Sequence, residues 1–327
     1  KAHMHEIAYG ITGLNPHFGT PVNPIDGQLI PGGSSSGSAV SVAAGVADFT
    51  VGTDTAGSVR IPAACCGLWG LRPTHGALAD DGMVPLAPSF DSAGIMAGSG
   101  EVLAKVIGFL LGERSEEPGT LPSSAYLALD AVALADDEVA DATLLLLSHL
   151  EGIGVATKEV RLGLLDEVRE TLRVLQAGEA WQVHREWLEQ GSPTLGEDVT
   201  QLLATASGIS GSEVVQARRA RKRLMVEVGE LLTRDALLVM PILPSRPLTL
   251  EEARDPQKAA SFRTLTMSLV TLASLASLPS LAVPVTPGGV PGAGVGVQIV
   301  AGRGREGALL EIARRLAGVV DGSPKLR

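Results

Sequence analysis

The sequence predicts an α/β fold, in which helices alternate with the strands of a largely parallel sheet. Three short runs in the last third of the chain are apolar almost throughout, which is typical of strands covered on both faces. They are residues 236–241 (ALLVMP), 280–285 (SLAVPV) and 294–300 (GVGVQIV). Helical patterns alternate with these runs. Together these observations favour an α/β domain.

The first hundred residues combine short elements with long loops. Residues 1–30 are predicted to form a short helix and an extended loop with several Asn and Pro residues. The segment 38–47 (SAVSVAAGVA) is typical of a helix buried on most sides, residues 48–52 of a short strand, and residues 53–58 of the turn that follows. Gly and Pro recur at close intervals in residues 66–98, which are therefore predicted to be rich in loops.

Amphipathic helices dominate the chain from residue 100 onwards. Apolar residues at helical spacing predict helices over 100–111, 137–152, 167–190 and 212–234, and a closing helix over 306–316. An acidic, alanine-rich stretch separates the first two.

Composition and charge narrow the class of protein. The 327 residues suffice for one large domain or two smaller ones, and 45% hydrophobic with 19% charged residues is typical of a soluble globular protein. The net charge of −10 argues against direct binding to nucleic acid. The longest apolar stretch, 269–285, is interrupted by serines and a proline, so it predicts a buried helix and strand and no membrane span. Cys65 and Cys66 are adjacent and make no disulfide framework, which favours a cytoplasmic protein.

Two Gly/Ser-rich turns in residues 31–76 are the most informative feature for function. Ser34 opens the first turn (PGGSSSGSA), and Ser58 closes the second (GTDTAGS), 24 positions later. Glycine lets backbone N–H groups approach a reacting atom closely, and serine supplies a nucleophile or a hydrogen-bond relay. Such turns suit a site where backbone N–H groups surround a reacting atom, although the serine of a lone Gly-Ser turn is ordinarily a cap or turn residue.

Several other kinds of site are excluded because the sequence lacks residues that their motifs require. The first turn lacks the Lys and Ser/Thr of a phosphate-binding loop. It formally matches G-x-S-x-G with Ser35 as nucleophile, but Pro31 and Gly32 stand where a buried strand should end. No S-x-x-K, HExxH or CxxC occurs, and His3 and His5 would lie on different faces of a helix. The sequence therefore predicts no metal site and no cofactor.

GGSSSGSA followed by GTDTAGSVRIPAACCGLWGLRPTHG resembles the signature of the amidase signature family of serine amidohydrolases. The flanking segments resemble further family motifs, at residues 1–13, 84–96, 240–247 and 278–284. The resemblance spans essentially the whole chain, and residues 100–235 are its least diagnostic part. It implies one large domain, residues 1–327, with a mixed, mostly parallel central sheet flanked by helices. Residues 100–235 would then form a helical, variable region on the substrate side.

The resemblance also implies roles for individual residues. Ser58 matches the nucleophile that attacks the amide carbonyl, and Ser34 matches a relay serine that follows a cis peptide bond. The backbone N–H groups of Thr55, Ala56, Gly57 and Ser58 match an oxyanion hole. The supporting residues would be Ser35, Asp54 and Arg60, the last anchoring the loop.

The chain departs from the family pattern in two respects that bear on activity. The family's catalytic lysine precedes the motif matched by residues 1–13, and Lys1 matches that motif's own lysine. We therefore expect the N-terminal part with the general base to be missing from these residues. Ala56 stands where the family usually has glycine, which is tolerated only with a negative φ.

Three functions remain open at this point. The first is an amidase that hydrolyses a small-molecule carboxylic amide through an acyl-enzyme on Ser58, with activity impaired in these residues without the lysine. The second is the glutaminase (A-type) subunit of a tRNA-dependent amidotransferase, which passes ammonia to a partner. The third is a non-catalytic scaffold that kept the turns. No membrane partner is expected, and self-association into a homo-oligomer is left open.

Overall fold

The computed structural model describes residues 1–112, 120–191, 193–233, 235–285 and 295–320. Within them, eight strands form one mixed sheet with helices on both sides, so the predicted α/β class is confirmed. The strands are β1 (Phe49–Thr53), β2 (Trp69–Arg72), β3 (Ala93–Ala97), β4 (Ser124–Ala128), β5 (Ala156–Val160), β6 (Ala236–Pro241), β7 (Ser280–Pro284) and β8 (Gly296–Ala301).

Ten α-helices are present in the described part of the chain. In the first half these are α1 (Ser36–Ala43), α2 (Arg60–Cys65), α3 (Gly100–Leu111), α4 (Leu129–Val132) and α5 (Asp137–Gly152). The second half contains α6 (Leu165–Gly191), α7 (Glu197–Ser207), α8 (Gly211–Leu231), α9 (Pro256–Leu275) and α10 (Glu306–Val320). Short 3-10 helices occupy Glu6–Ala8 and Glu252–Arg254. Side-chain caps begin several of the long helices, because Asp136, Ser210 and Asp255 each accept a hydrogen bond from a first-turn backbone N–H.

The sheet has the order β1-β3-β2-β7-β8-β6-β4-β5. Among these pairings only β4–β5 and β4–β6 are parallel, and the other five are antiparallel. The expectation of a mostly parallel sheet is therefore corrected. An all-apolar strand indicates that both of its faces are buried. It does not indicate whether the neighbouring strands are parallel or antiparallel to it, so the apolar runs could not predict strand direction.

Helices cover both faces of the sheet, and each face has its own hydrophobic core. In β6, Leu238 and Met240 belong to one core and Leu237 and Val239 to the other, as expected for side chains that alternate between faces. The first core is completed by α1, α2, α6, α8 and α9, and the second by α3, α5 and α10. No helix in the described ranges is long and apolar enough to cross a membrane.

Candidate active site

The two Gly/Ser turns meet in space at the N-terminal ends of two helices. The first turn (residues 32–35) leads into α1, and the second turn (residues 54–58) joins β1 to α2. The backbone N–H of Ser35 donates to the carbonyl of Ser58 at 3.3 Å, and its hydroxyl donates to the carbonyl of Thr53 at 3.4 Å. The segments that carry the two predicted serines are therefore in direct contact.

Two glycines are required where these turns pack against neighbouring elements. Gly32 has φ 73°, and a Cβ there would lie 2.8 Å from the sulfur of Cys65. Gly57 has φ 111°, and a Cβ there would lie 2.9 Å from side-chain atoms of Ile61 and Val270. Both positions combine a left-handed backbone with a close approach, so only glycine fits. Ala56 has no positive φ, which meets the condition expected for alanine at that position.

Ser34 and Ser58 differ in their surroundings. The Gly33–Ser34 peptide bond is cis, as the resemblance implies for the relay serine. Ser34 is completely buried, its carbonyl accepts from the N–H of His5 at 3.0 Å, and its hydroxyl has no hydrogen-bond partner among the described residues. Ser58 retains 6% of its surface. Ser58 is therefore slightly exposed, whereas the Ser34 hydroxyl is enclosed with no hydrogen-bond partner in the described part of the chain.

Asp54 organises the second turn from inside the protein. Its carboxylate accepts from Arg60 Nε and Nη2, both at 3.0 Å, and from the N–H of Gly57 at 2.8 Å. Arg72 donates to its carboxylate at 3.3 Å and also to its backbone carbonyl. All three charged side chains are fully buried. Burial alone would raise the pKa of Asp54, but the two arginines outweigh burial and lower it, so the group is ionised.

Arg60 connects this turn to the far end of the chain. Its guanidinium donates to the carbonyl of Val270 at 2.8 Å, to Ser274 Oγ at 3.1 Å and to Gln298 Oε1 at 2.8 Å. The Gln298 amide in turn donates to the carbonyls of Pro241 at 3.1 Å and Leu269 at 2.8 Å. The Arg60 guanidinium and the Gln298 amide thus both have hydrogen-bond partners, whereas Nε of Arg72 has none among the described residues.

Three backbone N–H groups of the second turn are free to bind a ligand oxygen. Those of Thr55, Ala56 and Ser58 donate to no group in the described part of the chain. The N–H of Gly57 was expected to belong to the oxyanion hole, but it donates to the carboxylate of Asp54. It therefore stabilises the turn and is not available to a ligand. The Thr55 hydroxyl donates to Asp91 Oδ1 at 2.5 Å, and this hydrogen bond connects the start of the turn to residue 91.

Sequence reasoning did not single out Arg72, Asp91 or Gln298. Gln298 is the one amide in the apolar run 294–300, and a lone polar side chain in a buried strand was the available signal. Arg72 lies in residues 66–98, which are predicted to be rich in loops, and Asp91 lies in the segment 84–96, which resembles a family motif.

The family model for amidases, described as Amidase, matches residues 1–310. The chain belongs to the amidase family. It is 32% identical to Amidase 1 of Arabidopsis thaliana, over 97% of this chain and 81% of that protein. It is 30% identical to the A-type subunit of the glutamyl-tRNA(Gln) amidotransferase of Methanothermobacter thermautotrophicus, over 96% of this chain and 73% of the relative. A crystal structure described as an amidase superposes with a TM-score of 0.86 at 31% identity, covering 97% of this chain and 73% of that one.

These findings make the chain an amidase-family hydrolase with the α/β fold of that family. Among the described residues of this amidase-family chain, no group of three or more His, Cys, Asp or Glu side chains is placed to hold a metal ion. The two cysteines are free and buried, and burial raises the pKa of Cys66 to about 12. Its thiol is therefore protonated at neutral pH and is a packing group, not a nucleophile.

Two imidazoles near the site, the partly exposed His75 and the buried His184, predict how the stability of this amidase-family chain depends on pH. Burial lowers the pKa of His75 and of His184, and Nε2 of His184 has no hydrogen-bond partner within the described part. Between pH 7.5 and 5.5 both imidazoles therefore bind fewer protons in the native state than in the unfolded chain, which takes up protons below pH about 6.5. We expect the free energy of unfolding to fall as pH drops from 7.5 to 5.5, and urea denaturation measures it. The fall should be smaller in His184→Gln, and an equal fall in both proteins contradicts the assignment.

Proposed function

We propose that this chain carries the acyl-transfer site of an amidase, with Ser58 as the nucleophile. Its Oγ attacks the carbonyl carbon of a carboxylic amide, and the C–N bond breaks as ammonia or an amine leaves with a proton. Water then cleaves the Ser58 ester and releases the carboxylic acid. The observation that supports the proposal is the contact between the two Gly/Ser turns, in which the N–H of Ser35, the residue after Ser34, donates to the carbonyl of Ser58 at 3.3 Å.

The second turn supplies the electrostatic part of this mechanism. The N–H groups of Thr55, Ala56 and Ser58 would donate to the oxyanion that develops on the carbonyl oxygen. Asp54 and Arg60 hold the turn in place before the substrate arrives, so no reorganisation is needed as charge develops. One such donor is worth about 3–4 kcal/mol of transition-state stabilisation.

Ser34 is proposed as the relay that takes the proton of Ser58. A serine hydroxyl is a weak nucleophile until a base removes its proton, and a neutral lysine can serve as that base. In the described residues, no lysine amine is hydrogen-bonded to either serine. The proposal therefore requires a lysine amine beside Ser34 in the whole-gene protein, the full product of the gene, and expects hydrolysis only where that amine is present.

The helical region 100–235 is proposed to form the substrate side of the site, because α7 contacts the segment next to Ser34. His5 Nε2 lies 2.9 Å from Asp198 of α7, and the Glu6 carboxylate accepts the N–H of Gly196 at 2.7 Å. His5 is also the residue whose N–H binds the Ser34 carbonyl. A change in the position of α7 would thus move His5, whose N–H binds the carbonyl of the proposed relay serine, Ser34.

The experiment that tests the nucleophile uses a fluorophosphonate, which loses fluoride as a serine oxygen bonds to phosphorus. We expect the whole-gene protein to be labelled, and peptide mass spectrometry to place the label on Ser58. The control is Ser41→Ala on α1, whose hydroxyl bonds only to the carbonyl of Gly37 and which should label normally. A label on another serine, or undiminished labelling of Ser58→Ala, refutes the assignment. No labelling of the wild-type protein favours a non-catalytic scaffold.

A second candidate function is the glutaminase (A-type) subunit of a tRNA-dependent amidotransferase. It is supported by the 30% identity to such a subunit over 96% of this chain. Glutamine-dependent ammonia release by the purified protein, together with co-purification of partner subunits, would favour this function. Hydrolysis of simple amides with no activity on glutamine would exclude it.

A further inference from the structure

Arg221 of α8 joins parts of the molecule that are far apart in sequence. Its Nε donates to the carbonyl of Leu275 at the end of α9 at 3.0 Å, and Nη2 donates to Ser277 Oγ at 3.3 Å. Its other bonds go to Ser89, with Nη1 3.1 Å from the hydroxyl and Nη2 3.0 Å from the carbonyl. The guanidinium carbon lies 4.2 Å from the centroid of the Phe90 ring. A planar guanidinium can make all of these contacts at once, and a lysine amine cannot.

Ser89 lies in a segment, residues 85–91, that we call the bridging loop. The loop contains no helix or strand, so its position depends on side-chain contacts. Glu179 of α6 provides a second hold, since its carboxylate accepts from the N–H of Ser89 at 2.9 Å and from its hydroxyl at 2.5 Å. Two helices of the region 100–235 therefore bind Ser89 of the loop. Helix α8 binds it through the cation of Arg221, and helix α6 binds it through the anion of Glu179.

The next two residues of the bridging loop hold the second turn. The carbonyl of Phe90 accepts from Arg72 Nη2 at 2.9 Å, and Nη1 of the same arginine binds the carbonyl of Asp54. Asp91 accepts the Thr55 hydroxyl. The loop therefore reaches two adjacent residues of the turn, by two separate routes.

We propose that Arg221 is a positioning residue for the oxyanion-binding N–H groups of the second turn, acting through the bridging loop. The inference rests on the proposed function for its kinetic consequence, and on geometry alone for its structural one. The helical region would then set the geometry of the turn in addition to lining the substrate side. Because donors that stabilise an oxyanion must be held within a few tenths of an ångström, a loosened loop lowers the rate of the chemical step.

The test compares Arg221→Lys and Arg221→Met with Arg223→Met in the whole-gene protein. Arg223 lies two positions along the same helix, and its ion pairs within the described residues are exposed ones, to Glu167 and Glu227. We expect Arg221→Met to lower kcat about 10-fold to 100-fold per labelled active site, with KM changed less than about threefold. Arg221→Lys should keep the fold and recover part of the loss, and Arg223→Met should change neither constant.

A double mutant separates action through the loop from a general loss of structure. If Arg221 acts through Asp91 and Thr55, the variant Arg221→Met with Thr55→Val should lose little more kcat than the worse single variant. Losses that multiply show that the two residues act independently and overturn the route through Asp91 and Thr55.

Amide hydrogen exchange gives a readout that does not depend on activity. In Arg221→Lys and Arg221→Met, a peptide covering residues 51–61 should exchange faster than in the wild-type protein and in Arg223→Met. Unchanged exchange together with unchanged kcat overturns the inference while leaving the proposed function intact. If the wild-type protein neither labels nor hydrolyses amides, the proposed function fails, and the exchange measurement alone then decides whether Arg221 positions the turn.

Discussion

Replacing Ser58 with alanine is expected to lower kcat for amide hydrolysis by about a thousandfold to a millionfold. The variant retains the N–H groups of the second turn and the buried ions behind it, so binding of substrate should persist while no acyl-enzyme can form. KM should therefore change far less than kcat. Ammonia release by the protein expressed from its whole gene, with and without the substitution, measures the effect.

The companion variant Ser34→Ala separates the relay from the nucleophile. It should also lower kcat strongly, because the Ser58 proton loses its path, yet it keeps the oxygen that accepts the phosphorus of a fluorophosphonate. Slow labelling of Ser34→Ala and none of Ser58→Ala is the expected pattern. The assignment is wrong if Ser58→Ala keeps more than about a tenth of the wild-type kcat while its circular dichroism is unchanged.

The largest loss of stability is expected from Asp54→Ala, at about 3–5 kcal/mol of the free energy of unfolding. The substitution leaves Arg60 and Arg72 fully buried without their shared anion, and it removes the acceptor of the Gly57 N–H. Asp54→Asn keeps the shape of the side chain and isolates the loss of charge. Urea denaturation at pH 7 measures both variants.

An exposed ion pair provides the matched control for Asp54. Glu167→Gln removes a carboxylate from Arg223 on the surface, and such pairs contribute about 0–1 kcal/mol. The pH dependence is a further check, because the pKa of Asp54 is lowered in the folded protein. Its contribution is therefore complete at pH values above its ordinary pKa of about 4 and is lost only as pH falls below that. A stability difference between wild type and Asp54→Asn that varies between pH 5 and pH 8 contradicts an ionised Asp54.

The sequence predicted the long helices well and several strands poorly. Periodic apolar residues placed α3 and α5 at their observed bounds, because each helix buries one stripe against the sheet. Strands β2 and β3 were hidden in a segment rich in Gly and Pro. Strand β5 (ATKEV) lies at the sheet edge with largely exposed side chains, so it carries no apolar pattern. The sequence therefore predicted the elements in which buried residues recur at a regular spacing, and it missed the strands that lack such a pattern.

The candidate site divides in the same way between local and distant contributions. The serines and glycines of the two turns lie within 27 residues, so their pattern could be seen directly. The residues that hold the turns come from elsewhere: Gln298 is 238 positions from Arg60, and Arg221 is 132 positions from Ser89. Such pairs exist only after the sheet has assembled, and a single sequence carries no local signal for them.

The position of β8 has a consequence for the order in which the molecule can be built. In the described sheet, β8 lies between β7 and β6 and alone joins the four strands β1, β3, β2 and β7 to the three strands β6, β4 and β5. It is also the last of these eight strands to leave the ribosome. Until residues 296–301 have been synthesised, the two halves of the sheet share no backbone hydrogen bonds and Arg60 lacks the Gln298 amide. Ser34 and Ser58, made well before β8, thus acquire their finished surroundings only after this last strand has been added.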